Sequence, residues 1–234
     1  MKIVSITSLE NSFVRYDLEI EDNHNFVADG IVVHNSNVCI VYDGKNFHVK
    51  SRNHWKLEYP DISHLTVEYF IGVGKTKEEA EQLVENINKK SQTQCSFWKG
   101  LRINEPLQKL LIDNPGLFVF GELFGNTNII KYHLPEVNRI AAFDVWKDGS
   151  FFDSSKSLDL FRRYGVEFAP LLHENVAFDD VNRFIEMAEG KTLIKDAKTG
   201  TIREGIVVKP TTELYDVKIG RLALKCKSPS FLQL

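Results

Sequence analysis

Apolar and polar residues alternate in short runs over the first part of the chain: residues 2–6, 14–20 and 30–33, broken by Asp22-Asn23 and Asp29-Gly30, then 38–42 and 47–50 around Asp43-Gly44. Period-two alternation punctuated by Asp, Asn and Gly predicts strands joined by tight turns. The period changes at Thr76-Lys77-Glu78-Glu79, a capping-box sequence in which hydroxyl and carboxylate each accept a first-turn N–H. Ala80, Leu83, Val84 and Ile87 come next on one helical face and predict a helix running to about residue 90. Shorter helices are predicted over 106–112, over 158–164 with Gly165 as the stop, and over 179–188 with Gly190 as the stop. Strands are predicted over 118–123, 140–146, 205–209 and 222–227. The elements come in mixed order, with no βαβ repetition and no glycine-rich fingerprint, so the expected fold class is α+β.

Composition narrows this picture only in part. At 234 residues and 43% hydrophobic, the chain can build one sizeable core and a small annex. A net charge of −3 supplies no whole-chain basic field, so contact with nucleic acid would need a local patch. Cys39, Cys95 and Cys226 are odd in number and lack CxxC or Cys/His spacing, which argues against a disulfide framework or zinc site and for a reducing cytoplasm. There is no signal-peptide h-region and no apolar run of about 18 residues, so no membrane association is expected. No Pro/Ser/Gly-rich linker separates residues 1–35 from residues 36–234.

The first candidate chemistry lies at Val32-Val33-His34-Asn35-Ser36. An Asn side-chain amide can attack its own main-chain carbonyl, closing a succinimide and cutting the chain, when an adjacent His donates a proton. A hydroxyl on the next residue, here Ser36, can accept an acyl group. Alone the tripeptide would read as a surface turn, but residues 16–26 and 27–35 together resemble the last two conserved blocks of inteins nearly residue for residue. The resemblance implies that Asp17 and His24 are auxiliary acid/base residues, His34 the penultimate His, Asn35 the cyclising Asn and Ser36 the downstream nucleophile. Complete inteins begin with a Cys or Ser nucleophile far upstream, whereas Met1 stands 34 positions before Asn35. Residues 1–35 therefore look like the C-terminal part of a split intein, a small all-β (Hint) fragment, whose partner is a separate polypeptide. A truncated gene fragment is the alternative.

Residues 36–234 carry a second set of signals. Ser51-Arg52-Asn53, residues 120–125 (FGELFG), residues 142–146 (AFDVW), residues 204–210 (EGIVVKP) and residues 224–227 (LKCK) occur in that order. Strand alternation predicts Arg221, Ala223, Lys225 and Lys227 on one face, with Leu222, Leu224 and Cys226 behind them. Gly121 and Gly125 around Glu122 would let a ligand approach the backbone. Carboxylates, lysines and an Arg converging on one pocket would suit a polyphosphate with a divalent metal.

The ordered motifs resemble the covalent nucleotidyltransferase superfamily of ATP-dependent ligases and capping enzymes, an antiparallel-sheet, ATP-grasp-like fold, and within it the phage-type RNA ligase 2 family most of all. The resemblance implies transfer of AMP from ATP to a lysine in a Lys-x-(Asp or His)-Gly-(Ser or Thr)-Asn motif, then to an RNA 5′-phosphate, then sealing by a 3′-hydroxyl. Only the tail of that motif, Ser36-Asn37, is present, and Val32 occupies the lysine's position. The nucleophile would then arrive from the partner chain, ending in Lys-x-x-Gly. Carried over residue by residue, Asn37 would contact the nucleotide or RNA end, Arg52 a phosphate, Glu122 the ribose and Phe143 the adenine. Glu204 would assist Mg²⁺ or nucleotide positioning, and Lys225 and Lys227 would bind phosphates and, with the metal, lower the pKa of the nucleophilic lysine. Lys209 and Arg203 are expected to face solvent or RNA. The expected cofactors are ATP and Mg²⁺, the expected partners RNA and the N-terminal polypeptide, and the expected location the cytoplasm of a prokaryotic or phage-infected cell.

Two departures stand out. The stretch between Arg52 and Glu122 is long for the family, and its helix has no assigned role; only seven residues come after Lys227, leaving no room for a further nucleic-acid-binding domain. A DNA ligase or other nucleotidyltransferase carrying the same intein, and a non-catalytic nucleic-acid-binding remnant, are the competing readings.

Overall fold

The computed structural model describes residues 37–92, 94–125, 138–177 and 180–233 (backbone alone for Lys90 and Ser91) together with the backbone of four short strands among residues 1–36. Those four strands pair antiparallel in two ribbons, β1 (Ile3–Ser8) with β2 (Tyr16–Ile20) and β3 (Val27–Ala28) with β4 (Ile31–Val32).

Strand β5 (Asn37–Tyr42) opens the main body and lies near the centre of its sheet. One neighbour is β6 (Phe47–Ser51), with β7 (Trp55–Lys56) beyond it; the other is β8 (Phe118–Gly125), then β9 (Asn138–Lys147) and β10 (Ser150–Phe151). Every neighbouring pair is antiparallel. Alternation sends Val38, Ile40, Val49, Val119, Leu123, Ile140 and Val145 to one face, where they are almost fully buried.

That face is covered by α3 (Ser96–Arg102), α4 (Glu105–Asp113) and α5 (Ser154–Tyr164), contributing Leu101, Leu107, Leu110, Leu111 and Phe161 to a single core. Gly100 lets α3 settle closely on the sheet: a Cβ there would lie 2.9 Å from Leu123. Asn104 caps α4 by accepting from the Leu107 N–H, and Gly165 ends α5 in the left-handed conformation, as its position after the apolar run predicts.

Between β7 and α3 the chain makes a helical excursion, α1 (Val67–Gly72) and α2 (Lys77–Ser91). The capping box forms as predicted, Thr76 Oγ1 accepting from the Glu79 N–H while Glu79 accepts from the Thr76 N–H. Of the predicted apolar stripe on α2, Ala80 is buried while Leu83, Val84 and Ile87 are half-exposed. The excursion is closed at its neck by Glu58. Its carbonyl accepts from the Cys95 N–H (2.8 Å), and its carboxylate takes Arg102 Nε (2.8 Å) and Nη2 (2.7 Å) together with Gln94 Nε2 (2.5 Å).

The last part of the chain forms α6 (Val181–Ala188), capped by Asp180, against a two-stranded sheet of β11 (Gly205–Val208) and β14 (Leu224–Lys227), with β12 (Tyr215–Asp216) and β13 (Gly220–Arg221) as a second ribbon between them. The strand predicted over 222–227 forms as β14 from Leu224 onward, while Leu222 and Ala223 connect it to β13, which belongs to the other ribbon. Arg221 is buried in β13, apart from Lys225 and Lys227, and Leu224 is 49% exposed, so the four-residue basic face with an apolar back does not form. The α+β class and antiparallel sheet are as expected; α1 and α3 were not anticipated. Among the described residues, no helix is long and apolar enough to cross a membrane.

Candidate active site

The face of the main sheet opposite the core carries four of the seven predicted nucleotide-site residues, Asn37, Arg52, Glu122 and Phe143. Cross-strand partners share a face, so register orders them into rows. In one row Asn37 stands opposite Glu122, and Glu122 opposite Ala141. Arg52 comes directly after Ser51, the residue of β6 opposite Val38, and so reaches the level of Asn37 in the turn before β7. That turn is held by the Ser51 N–H and hydroxyl, which both donate to the His54 carbonyl. The next row runs across five strands: Trp55, Lys50, Cys39, Phe120 and Asp144.

Phe143 owes its place to a bulge. Gly121 pairs with Ala142 but Phe120 pairs with Asp144, leaving Phe143 as the extra residue of β9. A bulge turns both of its residues toward one side, which puts Phe143 beside Asp144 on the site face. Gly121 serves this same irregularity: a Cβ there would lie 2.9 Å from the Ala141 carbonyl and 3.0 Å from Ile140. Its role is therefore close packing of β8 on β9, rather than the ligand approach expected from the sequence.

Glu204, Lys225 and Lys227 form a second group on the small sheet. Lys227 pairs with Gly205 and Lys225 with Val207, so both lysines point to one side, and Lys225 Nζ donates to Glu204 at 2.5 Å. Burial, and next the Lys225 charge, push the Lys227 ammonium below the ordinary lysine range, with Glu204 opposing.

Four charged residues join the two groups. Asp144, 1% exposed, accepts from Lys209 Nζ (2.8 Å) and from Arg221 Nη1 (2.6 Å) and Nη2 (2.9 Å), while Glu213 accepts from Arg221 Nε (2.5 Å) and Nη2 (2.9 Å). Lys209 also donates to the Phe143 carbonyl (2.9 Å) and lies 5.2 Å from its ring centroid; Arg221 stacks 4.0 Å from Phe151. Burial lowers the pKa of Lys209, with Asp144 pulling the other way. For Arg221 burial also acts to lower the pKa, but the bonds to Asp144 and Glu213 more than offset it and hold the guanidinium charged. Lys209 is therefore an internal clamp on the Phe143 bulge, which corrects its expected solvent-facing place. Arg203 is half-buried, its backbone N–H donating to Gly190, and is no freely solvated side chain either.

The structure thus gathers Asn37, Arg52, Glu122 and Phe143 on the sheet face, and Glu204, Lys225 and Lys227 on the small sheet. Asp144, Lys209, Arg221 and Glu213 link them; the linking roles of Asp144, Lys209 and Glu213 were missed, and Arg221 was expected beside the lysines instead. Asp144 and Lys209 lie inside quoted motifs, and their opposite charges in otherwise apolar strands were the available signal. Cys39, on the same face, is buried, and burial pushes its thiol up to about 12, Lys50 opposing. Of the splicing residues, His24, His34, Asn35 and Ser36 lie outside the described residues, and Asp17 is described by its backbone alone, opposite Thr7. Among the described residues, no group of three or more His, Cys, Asp and Glu is placed to hold a metal ion.

An antiparallel sheet with one apolar face under helices and one face of Asn, Glu, Arg and aromatic residues, edged by a lysine-bearing ribbon, defines an α+β domain suited to an anionic ligand. The chain belongs to the RNA ligase family: the sequence model of that family matches residues 33–227. A comparison with curated proteins finds no match. Solved structures of Naegleria gruberi RNA ligase share the fold, among them the enzyme with PPi, a mutant with ATP and Mn, and a mutant with AMP and Mn. Each has a TM-score of 0.58 and 16% identity and covers 85% of this chain. This chain spans 48% of the length of each of those ligases.

Proposed function

We propose that this chain is the C-terminal precursor of a trans-spliced, ATP-dependent RNA ligase. Residues 1–35 are a C-terminal split-intein fragment, and residues 36–234 the nucleotidyltransferase domain without its nucleophilic lysine. The observation that carries the reading is the position of the seam. Asn37 begins a central strand of the sheet, at the end where Arg52 and Glu122 stand in its row. A host segment ending in Lys-x-x-Gly and joined to Ser36 would deliver its lysine next to that row. The family match over residues 33–227, and the Naegleria ligases with ATP, AMP and Mn, support the RNA ligase part of this reading.

In the spliced product Phe143, held by Lys209 on its bulge, stacks on adenine; Glu122 accepts from the ribose and Asn37 binds the nucleotide or RNA end. Arg52, Lys225 and Lys227 bind phosphates. The neutral amine of the incoming lysine attacks the α-phosphorus, forming the N–P bond as pyrophosphate leaves; the cations of Lys225 and Lys227 favour that neutral amine. One protein carboxylate suits Mg²⁺, which keeps water and phosphate oxygens as its other ligands; Glu204 would hold it, and it would neutralise charge on the phosphates.

Splicing itself uses His34 to polarise the scissile carbonyl, Asn35 to cyclise and Ser36 to accept the acyl group, with Asp17 and His24 moving protons. Mixing this chain with the partner polypeptide should yield a host product lacking residues 1–35, read by mass spectrometry, and Asn35→Ala should abolish it. Unchanged product from Asn35→Ala would overturn the intein assignment. The product incubated with labelled ATP and Mg²⁺ should carry an adduct that survives denaturation, and its absence would overturn the ligase assignment.

A further inference from the structure

Trp55 has no part in the nucleotide site, yet its geometry calls for a ligand. It lies on the outermost strand of the sheet and is 59% exposed. Opposite Lys50, it shares the site face, in the row that continues through Cys39 and Phe120 to Asp144. The ring is braced rather than loose. His48 meets it edge-on (6.1 Å, 78°) and is itself held by Asp43 (2.7 Å), while Lys50 Nζ lies 5.8 Å from the indole centroid. Arg52 sits in the turn that joins Lys50 to Trp55.

A rigid, exposed indole flanked by cations on an active-site face has the make-up of a base-stacking platform. The π-face takes any base, and the cations track the phosphates between bases. Strands about 4.8 Å apart put β7 three steps, roughly 14 Å, from the strand that carries Glu122, a distance a polynucleotide covers in a few nucleotides. The nearby charges match: Lys50 stands next to the indole in its own row, and Arg52 stands in the row where the strand end would be joined.

We infer that Trp55 stacks on an unpaired base of the RNA strand whose end is being joined, a short way from the joined nucleotide. This assignment rests on the RNA ligase reading but is measured separately from adenylylation. The full chain is titrated with a 5′-phosphorylated ten-nucleotide RNA and with a series in which one position at a time is abasic.

Trp55→Ala should weaken binding about tenfold and Trp55→Phe much less. The slope of affinity against salt should stay unchanged, because no phosphate contact is removed. One abasic position should cost the wild-type chain a similar factor and cost Trp55→Ala nothing further. Binding by Trp55→Ala within twofold of wild type, no RNA binding by the wild-type chain, or abasic losses that simply add to the Trp55→Ala loss at every position would each overturn the platform. So would a Trp55-dependent dimer with unchanged RNA affinity. Absence of the labelled ATP adduct from the spliced product, with the Trp55 effect on RNA binding intact, would sink the ligase reading instead.

Discussion

Asp144 shows how one side chain can hold a site without touching its ligand. It accepts from both Lys209 and Arg221 in a nearly solvent-free position, and Glu213 completes a set of two carboxylates and two cations. Such a set adds little over apolar packing while whole, but losing one member leaves buried charge uncompensated. Asp144→Ala should cost about 3–5 kcal/mol in urea unfolding, whereas Arg203→Ala, outside the set, should cost far less. The sequence placed Asp144 and Lys209 within motifs but gave no hint that they meet, because 65 residues separate them and strand alternation says nothing about partners on another sheet.

At the scale of elements, Glu58 joins the helical excursion to α3, and the strength of that joint depends on pH. Hydrogen bonds from Arg102 hold the Glu58 carboxyl below the ordinary glutamate range. A folded-state pKa below the unfolded value means that the stabilisation is complete above about pH 4.3 and is lost as pH falls through the folded value. Glu58→Gln should therefore be less stable than wild type at pH 6, with the gap closing toward pH 3, when urea midpoints are compared. Helix α2 was legible because its capping box is local. Helix α3 was not: Cys95 caps it without a side-chain bond, Gly100 interrupts its propensity, and its burial is decided by a sheet formed elsewhere in the chain. The strand predicted over 222–227 starts two residues late, at Leu224, because alternation of residue types continues through the corner at 222–223 where the chain leaves one ribbon for the other.

For the whole molecule, the sheet face and the lysine ribbon are one working surface only if the Asp144 set keeps them in register. Lys225, paired with Glu204, stands at the far side of that junction. Lys225→Ala in the spliced product should lower adenylylation by about 100-fold, the scale for losing one positioned donor at developing charge, and radiolabel transfer from ATP measures it. The order of motifs made the family legible without the fold, because each motif is a short local pattern. The division into two groups of residues was not legible, since it depends on which sheet each strand joins.

The central position of β5 has a further consequence for the proposed splice. A seam at the tip of a loop would tolerate a leftover residue; this one comes one residue before an interior strand that begins at Asn37, where side chains switch faces with each position. One surplus residue before Ser36 would shift everything upstream by a step and, where the backbone is extended, turn the imported lysine toward the hydrophobic core. Fidelity at Asn35 is then checked by parity: a product miscut by one residue could fold and still present its nucleophile to the wrong side of the sheet.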